Sequence, residues 1–518
     1  MRLSLLLVLI SLYLLPSCLL GQSTYNKRWD FGKPAMVFTN IECEADTCFL
    51  LGVFGNPNNF ALIGTLLFTI NDDGDLLDSV YYVHNQNSLT GWERNMRFLE
   101  DSSLMFVGSI RTELPYRPWL VNLSKDGTII DSMILSDYAG NPASTANGKN
   151  WAIDSNYTYV FYDFVGNNNV PIAIEKFDQK TFIQRKVIYP AQGSWLESVL
   201  PLKDKWILGV RMRDDQPHPW PPIRRVGLFA MDKNMKITQE WISPADSNYY
   251  AAYDILTVAE NEYVIATVKR GQGNELTGPY RPWLLRVNTF SNQIKWSIDL
   301  SLDSASPENE SRKLLFNLDS TAIYIAGQQF EIGILNERPP QVHGFLSKVT
   351  MDGELQWIRR YLGTQESQFP DHKILDAALL ADGSIIMVGE STDPYFEDPP
   401  GQRGWLLKVD SFGCLVPGCQ LVSTEPYEPD QALDVRVYPN PVVSDQVWVY
   451  IADDRLSGRL QFSLFDMQGR QVQQWSQTYY QNSTYLLDIP PGLTTGAYIL
   501  RLEDGQGHFW QEKLMIGR

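Results

Sequence analysis

The sequence predicts an all-β chain organised as a seven-bladed β-propeller followed by a small Ig-like β-sandwich. A short apolar run ending in a polar turn recurs along the first 420 residues. Each copy is flanked by further short alternating runs, and no long stretch carries the 3.6-residue period of a helix. The copies are LLFTINDDG (66–74), WLVNLSKDG (119–127), AIEKFDQK (173–180), GLFAMDKN (227–234), WLLRVNTF (283–290), FLSKVTMDG (345–353) and WLLKVDSFG (405–413). Aligned on residues 71, 124, 178, 232, 288, 350 and 410, they step by 53 to 62 residues. The hexapeptide PYRPWL occurs twice, at 115–120 and 279–284, three steps apart and at matching positions.

Each copy resolves into four strand-like segments. An apolar, β-branched run precedes the turn-bearing strand, as in CFLLGVFG (48–55) and SIIMVGES (384–391). Another run comes before that one, and a fourth follows, such as IKWSIDL (294–300) and LQWIRRY (355–361). Four strands repeated seven times are the pattern of a propeller. The seventh copy lacks a fourth strand. KRWDFG (27–32) is expected to supply it, with Trp29 matching Trp241, Trp296 and Trp357. The N-terminal strand then closes the ring and removes an exposed edge.

The WLLKVD…G run and the Trp of the following strand resemble the repeats of quinoprotein-like (PQQ-type) propellers over residues 25–420. The chain departs from the dehydrogenases of that group in having seven units rather than eight. It also lacks an adjacent Cys-Cys pair and a regular AxDxxTGxxxW motif. Neither the cofactor nor the activity is carried over, and no cofactor is expected.

Residues 1–21 read as a signal peptide: one Arg, an apolar run from Leu3 to Leu15, then Pro16 and small residues, with cleavage near Gly21/Gln22. The rival reading makes LPSC a lipoprotein box with Cys18 lipidated. No other segment is apolar enough to cross a bilayer. Four cysteines remain, Cys43, Cys48, Cys414 and Cys419, an even count that suggests disulfides in an exported protein. The local pairs Cys43–Cys48 and Cys414–Cys419 are favoured among the three pairings. Five scattered histidines give no metal site. NDDGD (71–75) reads as a hairpin turn in preference to a calcium loop. A net charge of −17 argues against nucleic acid as a partner.

Residues 421–434 are polar and Pro-containing and read as a linker. From 435 to 518 short alternating strands resume. YPNP (Tyr438, Pro439, Asn440, Pro441), LFDMQGRQV with Gly469, GLTTGAYILRL with Gly496 and Tyr498, and KLMIGR with Lys513 follow in order. These resemble the C-terminal sorting domain of type IX secretion cargo. The resemblance implies a Bacteroidetes-type source, export through the periplasm, engagement of the type IX machinery, and secretion or attachment at the outer-membrane surface.

The loops between second and third strands are long and fall on one face, which is where function sits on a rigid scaffold. They and the adjoining strand starts carry Tyr116, Arg117, Trp220, Arg224, Tyr280, Arg281, Tyr395 and Arg403, with Arg225, Arg338 and Phe396 beside them. Arginine next to aromatics suits a carboxylated or sulfated glycan, or a protein surface. The competing reading makes Tyr-Arg-Pro loop architecture, with Arg paired to a neighbouring blade's carboxylate and Trp119, Trp283 and Trp405 as packing residues. No catalytic motif is present. Glu93, Glu197 and Asp371 lie near inner-strand starts and are the candidates for a propeller hydrolase or lyase, the alternative to a non-catalytic binding module.

Overall fold

A computed structural model describes residues 23–29, 31, 35–55, 62–84, 87–91, 94–111, 116–135, 145–154, 156–165, 172–178, 181–188, 194–213, 224–244, 249–270, 280–301, 309–331, 341–363, 371–393, 401–416, 419, 435–442, 444–452, 456, 458–466, 470–480, 483–504 and 509–517. Among these residues regular structure is all strand, with no α-helix. The chain divides into two compact units that meet between Leu415 and Val416.

In the first unit, strands pair in sequence order into small antiparallel arrays. Array one holds Val37–Glu44, Thr47–Gly55, Ile63–Asn71 and Leu76–Tyr82. In array two the first strand is split into Ser88–Gly91 and Arg97–Phe98, followed by Leu104–Arg111, Tyr116–Leu123 and Ile129–Ile134. Array three runs from Thr145–Ile153 to Thr181–Ile188, and array four from Trp195–Pro201 to Ile237–Ile242. Array five runs from Asp254–Ala259 to Gln293–Asp299, and array six from Glu310–Phe316 to Leu355–Tyr361. Array seven holds Asp371–Leu379, Ile385–Asp393 and Gly401–Val409, and its fourth member is Tyr25–Trp29 from the other end of the chain. One parallel pair, Val342 with Asp371, joins arrays six and seven into a single eight-stranded sheet.

The arrays are held to one another mainly by polar side chains at one register position of the first strands, with Trp151 and the second-strand Asp163 supplying two of the links. Asn40 faces Leu51, Asn150 faces Phe161, Ser198 faces Gly209, Asp254 faces Ala266, Lys313 faces Ala326 and Asp376 faces Val388. In array two Asn95 fills the break in the first strand, its amide bonding both the C=O and the N–H of Val107. Each of these residues is followed by an apolar one: Ile41, Met96, Trp151, Val199, Ile255, Leu314 or Ala377.

The links run round a full circle. Asn40 Oδ1 accepts from the N–H groups of Asn95 and Met96, at 2.6 and 3.0 Å. Trp151 Nε1 donates to Asn95 O, and Asp163 Oδ1 accepts from Leu196 N. Ser198 Oγ donates to Ala252 O, and Asp254 Oδ2 accepts from Leu314 N. The Lys313 ammonium lies 2.9 Å from Asp376 Oδ1, while Asp376 Oδ2 accepts from Ile41 N at 3.1 Å. Array seven is thereby tied back to array one. Buried polar groups are costly unless bonded, so each link also fixes the angle between its two arrays.

A glycine on the second strand makes room for this belt. In arrays one, three, four, six and seven the first strand bulges at the residue before the belt position. A Cβ on Gly52, Gly108, Gly327 or Gly389 would run into the carbonyl oxygen of Val37, Thr90, Glu310 or Lys373. The recurring Gly of LLGVF, FVGSI, IAGQQ and MVGES is therefore a close-approach residue.

The N-terminal strand pairs with Gly401–Val409 as expected, but a different residue takes the outer aromatic position. Tyr25 faces Lys408 as Trp296 faces Arg286 and Trp357 faces Lys348. Each of these rings packs on a left-handed turn glycine of the next array: Tyr25 on Gly74, Trp296 on Gly353 and Trp357 on Gly413. Trp29 instead faces Gly404 and packs with Phe38 and Phe68 in the core of array one. Trp241 faces Leu228, a different register again.

The acidic turn at 71–75 is the socket for this strand. The Lys27 ammonium donates to Asp73 O, Gly74 O and Asp75 Oδ1 at 2.8–3.0 Å. The fully buried Lys408 pairs with Asp72 and also donates to Ser23 Oγ. Cys43 is disulfide-bonded to Cys48 across its hairpin, and Cys414 and Cys419 are also disulfide-bonded.

The second unit has two antiparallel sheets. One orders Val435–Tyr438, Gln446–Ile451 and Ser483–Asp488; the other orders Gln471–Thr478, Arg459–Asp466, Gly496–Glu503 and Phe509–Ile516. Both contribute to a single core that includes Val447, Val449, Leu487, Phe462, Leu500 and Leu514. Asn440 joins the first and last signature segments. Its Nδ2 donates to Lys513 O at 2.7 Å, and its Oδ1 accepts from Met515 N at 2.9 Å. The Tyr498 hydroxyl donates to Thr494 O, closing the turn before its strand. Gly469 lies outside the described residues.

Gly389→Ala should destabilise the first unit by about 3 kcal/mol, because the new Cβ forces the inner-strand bulge aside. Gly496→Ala, whose Cβ meets nothing within 4 Å, should leave stability near wild type. Denaturant unfolding of the two variants checks this.

Candidate functional site

The residues just before the belt positions form a second tier. They are Thr39, Arg94, Lys149, Glu197, Tyr253, Arg312 and Leu375, and five of them are the bulged residues. Arg94 defines where this tier lies. It sits in a left-handed turn (φ 58°), and its Nη1 donates to the carbonyls of Tyr253 and Arg312. A side chain from array two thus reaches the inner strands of arrays five and six, across the middle of the ring.

Around Arg94 the described groups form arginine–carboxylate pairs stacked on aromatic rings. Arg211 Nε lies 3.0 Å from Glu197 Oε1, and the guanidinium covers Trp195 at 4.5 Å and Tyr250 at 5.0 Å. Tyr250 meets Tyr280 edge to face at 4.9 Å. The Tyr253 hydroxyl donates to Glu310 Oε1 at 2.9 Å, and Arg312 pairs with Glu310 while covering Tyr253. Burial, and then the Glu310 charge, push the Tyr253 hydroxyl well above the usual phenol range. Burial opposes the Arg211 charge most strongly, but Glu197, Tyr250, Tyr253 and Asp163 together outweigh it and raise the guanidinium. The two described carboxylates at this mouth, Glu197 and Glu310, are therefore committed to cations.

Two residues beyond the belt, on the other side, stand Glu42 and Arg97. Burial lifts the Glu42 carboxyl to about 7, with Lys313 pulling the other way. Arg97 bonds Asn150 Oδ1 and covers Trp151. In array seven, Lys373 lies between Asp371 and Glu390, at 3.0 and 3.1 Å. His372 is fully buried against Trp405, and burial together with Arg28 and His343 holds its ring down at about 3.

Of the residues singled out in sequence, Glu197 and Tyr280 join the central cluster. Arg281 bonds Asp299 at 3.0 Å within its own array, not a neighbour's carboxylate. Arg117 opens the third strand of array two opposite Ile110, and Arg403 faces Ser391 in array seven. Arg225 donates to Ser243 O. Trp119 and Trp405 are buried, and Trp283 packs against the core, so all three are packing residues. The backbones of Tyr116 and Arg224 face Arg111 and Arg213, and their side chains lie outside the described set. Glu93, Trp220, Arg338, Tyr395 and Phe396 also lie outside the described residues. Sequence reading missed Arg94, Arg211, Tyr250, Tyr253, Glu310 and Arg312. Arg94, Tyr253 and Arg312 share an offset of one residue before the belt.

Residues 436–517 match the secretion system C-terminal sorting domain family. The terminal unit is such a domain; it engages the secretion machinery and marks the protein for secretion or attachment at the outer-membrane surface. No helix among the described residues is long and apolar enough to cross a membrane. No curated protein matches the chain. Among solved structures, similarity extends to the polysaccharide lyase Uly1, at 10% identity over 72% of this chain and 90% of that one, with a TM-score of 0.43. It extends also to the N10 neuraminidase-like protein of influenza A from a little yellow-shouldered bat, at 9% identity over 74% and 96%, TM-score 0.33. The periplasmic gluconolactonase PpgL of Pseudomonas aeruginosa matches at 11% identity over 62% and 86%, TM-score 0.36.

Glu42 sets a pH prediction. Its folded-state pKa lies above the ordinary carboxyl value, so its stabilising contribution is complete below about pH 4.5 and is lost as pH rises towards 7. Glu42→Gln should match wild type near pH 4.5 and exceed it by about 2 kcal/mol at pH 8. Denaturant unfolding at the two pH values measures the difference.

Proposed function

We propose that the first unit is a seven-bladed β-propeller closed by its N-terminal strand, and that it works as a non-catalytic binding module for a glycan or a protein surface. Residues 1–21 direct export, 421–434 act as a linker, and an Ig-like sorting domain at 435–518 delivers the propeller to the cell exterior in a Bacteroidetes-type bacterium. The ring centre is the binding site.

The observation that carries this reading is the state of the two described carboxylates at the centre, Glu197 and Glu310. Acid–base cleavage of a glycan needs one carboxyl to donate a proton and a second to attack or to activate water. Glu197 and Glu310 are each held by a guanidinium, and those guanidinia lie over the rings of Trp195, Tyr250 and Tyr253. Stacked arginines and aromatics on a rigid frame are the equipment of recognition, since little side-chain freedom remains to be lost on binding.

A glycan array and a surface-protein pull-down with residues 22–420 test this reading. Arg211→Ala should weaken binding at least tenfold, as expected for a stacked, charge-bonded arginine. The Arg117→Ala/Arg281→Ala pair should leave binding unchanged. Release of reducing ends or unsaturated products from any bound glycan, abolished by Glu197→Gln, would instead make the protein a hydrolase or lyase.

A further inference from the structure

We infer that the outer face of the smaller sheet in the sorting domain is a docking surface for a protein of the secretion machinery, one that presents an apolar segment with a cation at one end and an anion at the other. The face belongs to the second unit alone, and its role does not depend on the binding reading of the first. Three strands build it, Val435–Tyr438, Gln446–Ile451 and Ser483–Asp488. Tyr438 faces Trp448, and Trp448 faces Leu486. The three side chains therefore stand in one row straight across the sheet, and they are 47%, 41% and 37% exposed. The alternate residues Val447, Val449 and Leu487 point the other way and fill the core.

The wider sheet of the same domain shows the contrast. Two successive rows on its outer face are polar: Gln461 lies between Ser476 and Glu503, and Arg501 lies between Ser463 and Gln511. On the smaller sheet the polar residues flank the apolar row instead. Arg436 faces Tyr450 on one side, and on the other Gln446 faces Asp488 and donates to its Oδ1 at 2.9 Å. An apolar centre with a polar rim is the anatomy of a protein interface, and Trp and Tyr are among the residues that carry most of the binding energy there. Arg436 and Asp488 occupy opposite corners of the face, roughly 17 Å apart by strand spacing and rise. Their opposite charges fix the direction in which a partner segment lies. Size selects the occupant. The three strands present roughly 250 Å² of sheet, against the about 800 Å² per partner of a stable complex. A permanent dimer of this chain needs more, whereas a contact made and released during export belongs to the smaller, transient class. The row also lies within residues 436–517, the part of the chain that matches the sorting family.

Export of the full chain from its source bacterium tests this, read as the fraction of protein outside the cell against that in the periplasm. Trp448→Thr/Leu486→Thr removes the row and keeps β-branched strand formers in its place. The exported fraction is predicted to fall roughly fivefold or more, with periplasmic protein rising, and the purified mature variant to melt at the wild-type temperature. Tyr480→Thr, which removes an exposed ring outside the three strands, should export as wild type. Should the double variant melt lower, Arg436→Glu/Asp488→Lys decides on the same readout: it reverses the two corner charges, leaves the row in place and should also export less. Wild-type export of the deciding variant overturns the inference, as does an equal loss in Tyr480→Thr. Three further results overturn it while leaving the face a contact. A wild-type chain that sediments as a dimer, with the double variant a monomer, makes the occupant a second copy. Faster amide exchange in the first unit of the double variant makes it the first unit. Glycan-array binding lost in the double variant makes it a sugar.

Discussion

A circle of sheets has one junction that sequence order does not provide, and the rest of the first unit depends on how that junction is made. Every other pair of neighbouring arrays is joined by continuous chain; arrays seven and one are not. Two sets of bonds close the gap. Inside, Asp376 accepts from Ile41 N and holds Lys313 at the same time, so three arrays meet at one carboxylate. Outside, Tyr25–Trp29 completes array seven and sends Lys27 into the acidic turn of array one, where Lys408 also ends. Lys408 is fully buried, so leaving its ammonium without Asp72 would be strongly destabilising. The loop that resembles a cation site in sequence is thus filled by the chain's own ammonium groups.

The same constraint creates the candidate site. Most ties between neighbouring arrays use a polar residue at the belt position, and in five arrays the strand bulges just before it. The second tier that results varies in chemistry, from Thr39 to Arg94, Glu197, Tyr253 and Arg312. Rigidity belongs to the belt, and the tier beside it carries the proposed site. A guanidinium can be held in the ring centre because the carbonyls it bonds, those of Tyr253 and Arg312, immediately precede the tied residues Asp254 and Lys313.

Much of this was legible in the residues, and the parts that were not have physical causes. The repeat period, the borrowed N-terminal strand and the terminal sorting motifs stand out because each depends on residue types with few substitutes: the turn glycine, the alternating apolar run, and the Asn440 amide that clasps the last strand. Trp29 was assigned the role that belongs to Tyr25, because the outer strands carry register shifts, as between Arg286 and Val287 and between Lys348 and Val349, that a gapless alignment cannot see. The belt was hidden because Asn, Ser, Asp and Lys all serve at one position, so no consensus letter marks it. The central site was missed for a related reason: a bulge breaks the strict alternation by which side-chain direction is read from sequence. The long loops are more conspicuous in the sequence, yet beside them the second PYRPWL places Arg281 on Asp299 of its own array and Tyr280 at the edge of the aromatic cluster.

The most direct test of the closure account is amide hydrogen exchange, with calorimetry, on two chains: one beginning at residue 22 and one beginning at residue 31. If the N-terminal strand closes the ring, the shorter chain should melt roughly 10 °C or more below the longer one. Its lost protection should concentrate in Gly401–Val409 and in the strands of array one, on either side of the gap. Equal melting temperatures and unchanged protection in both arrays would contradict the account, and would mean that the inner belt holds the ring without its latch.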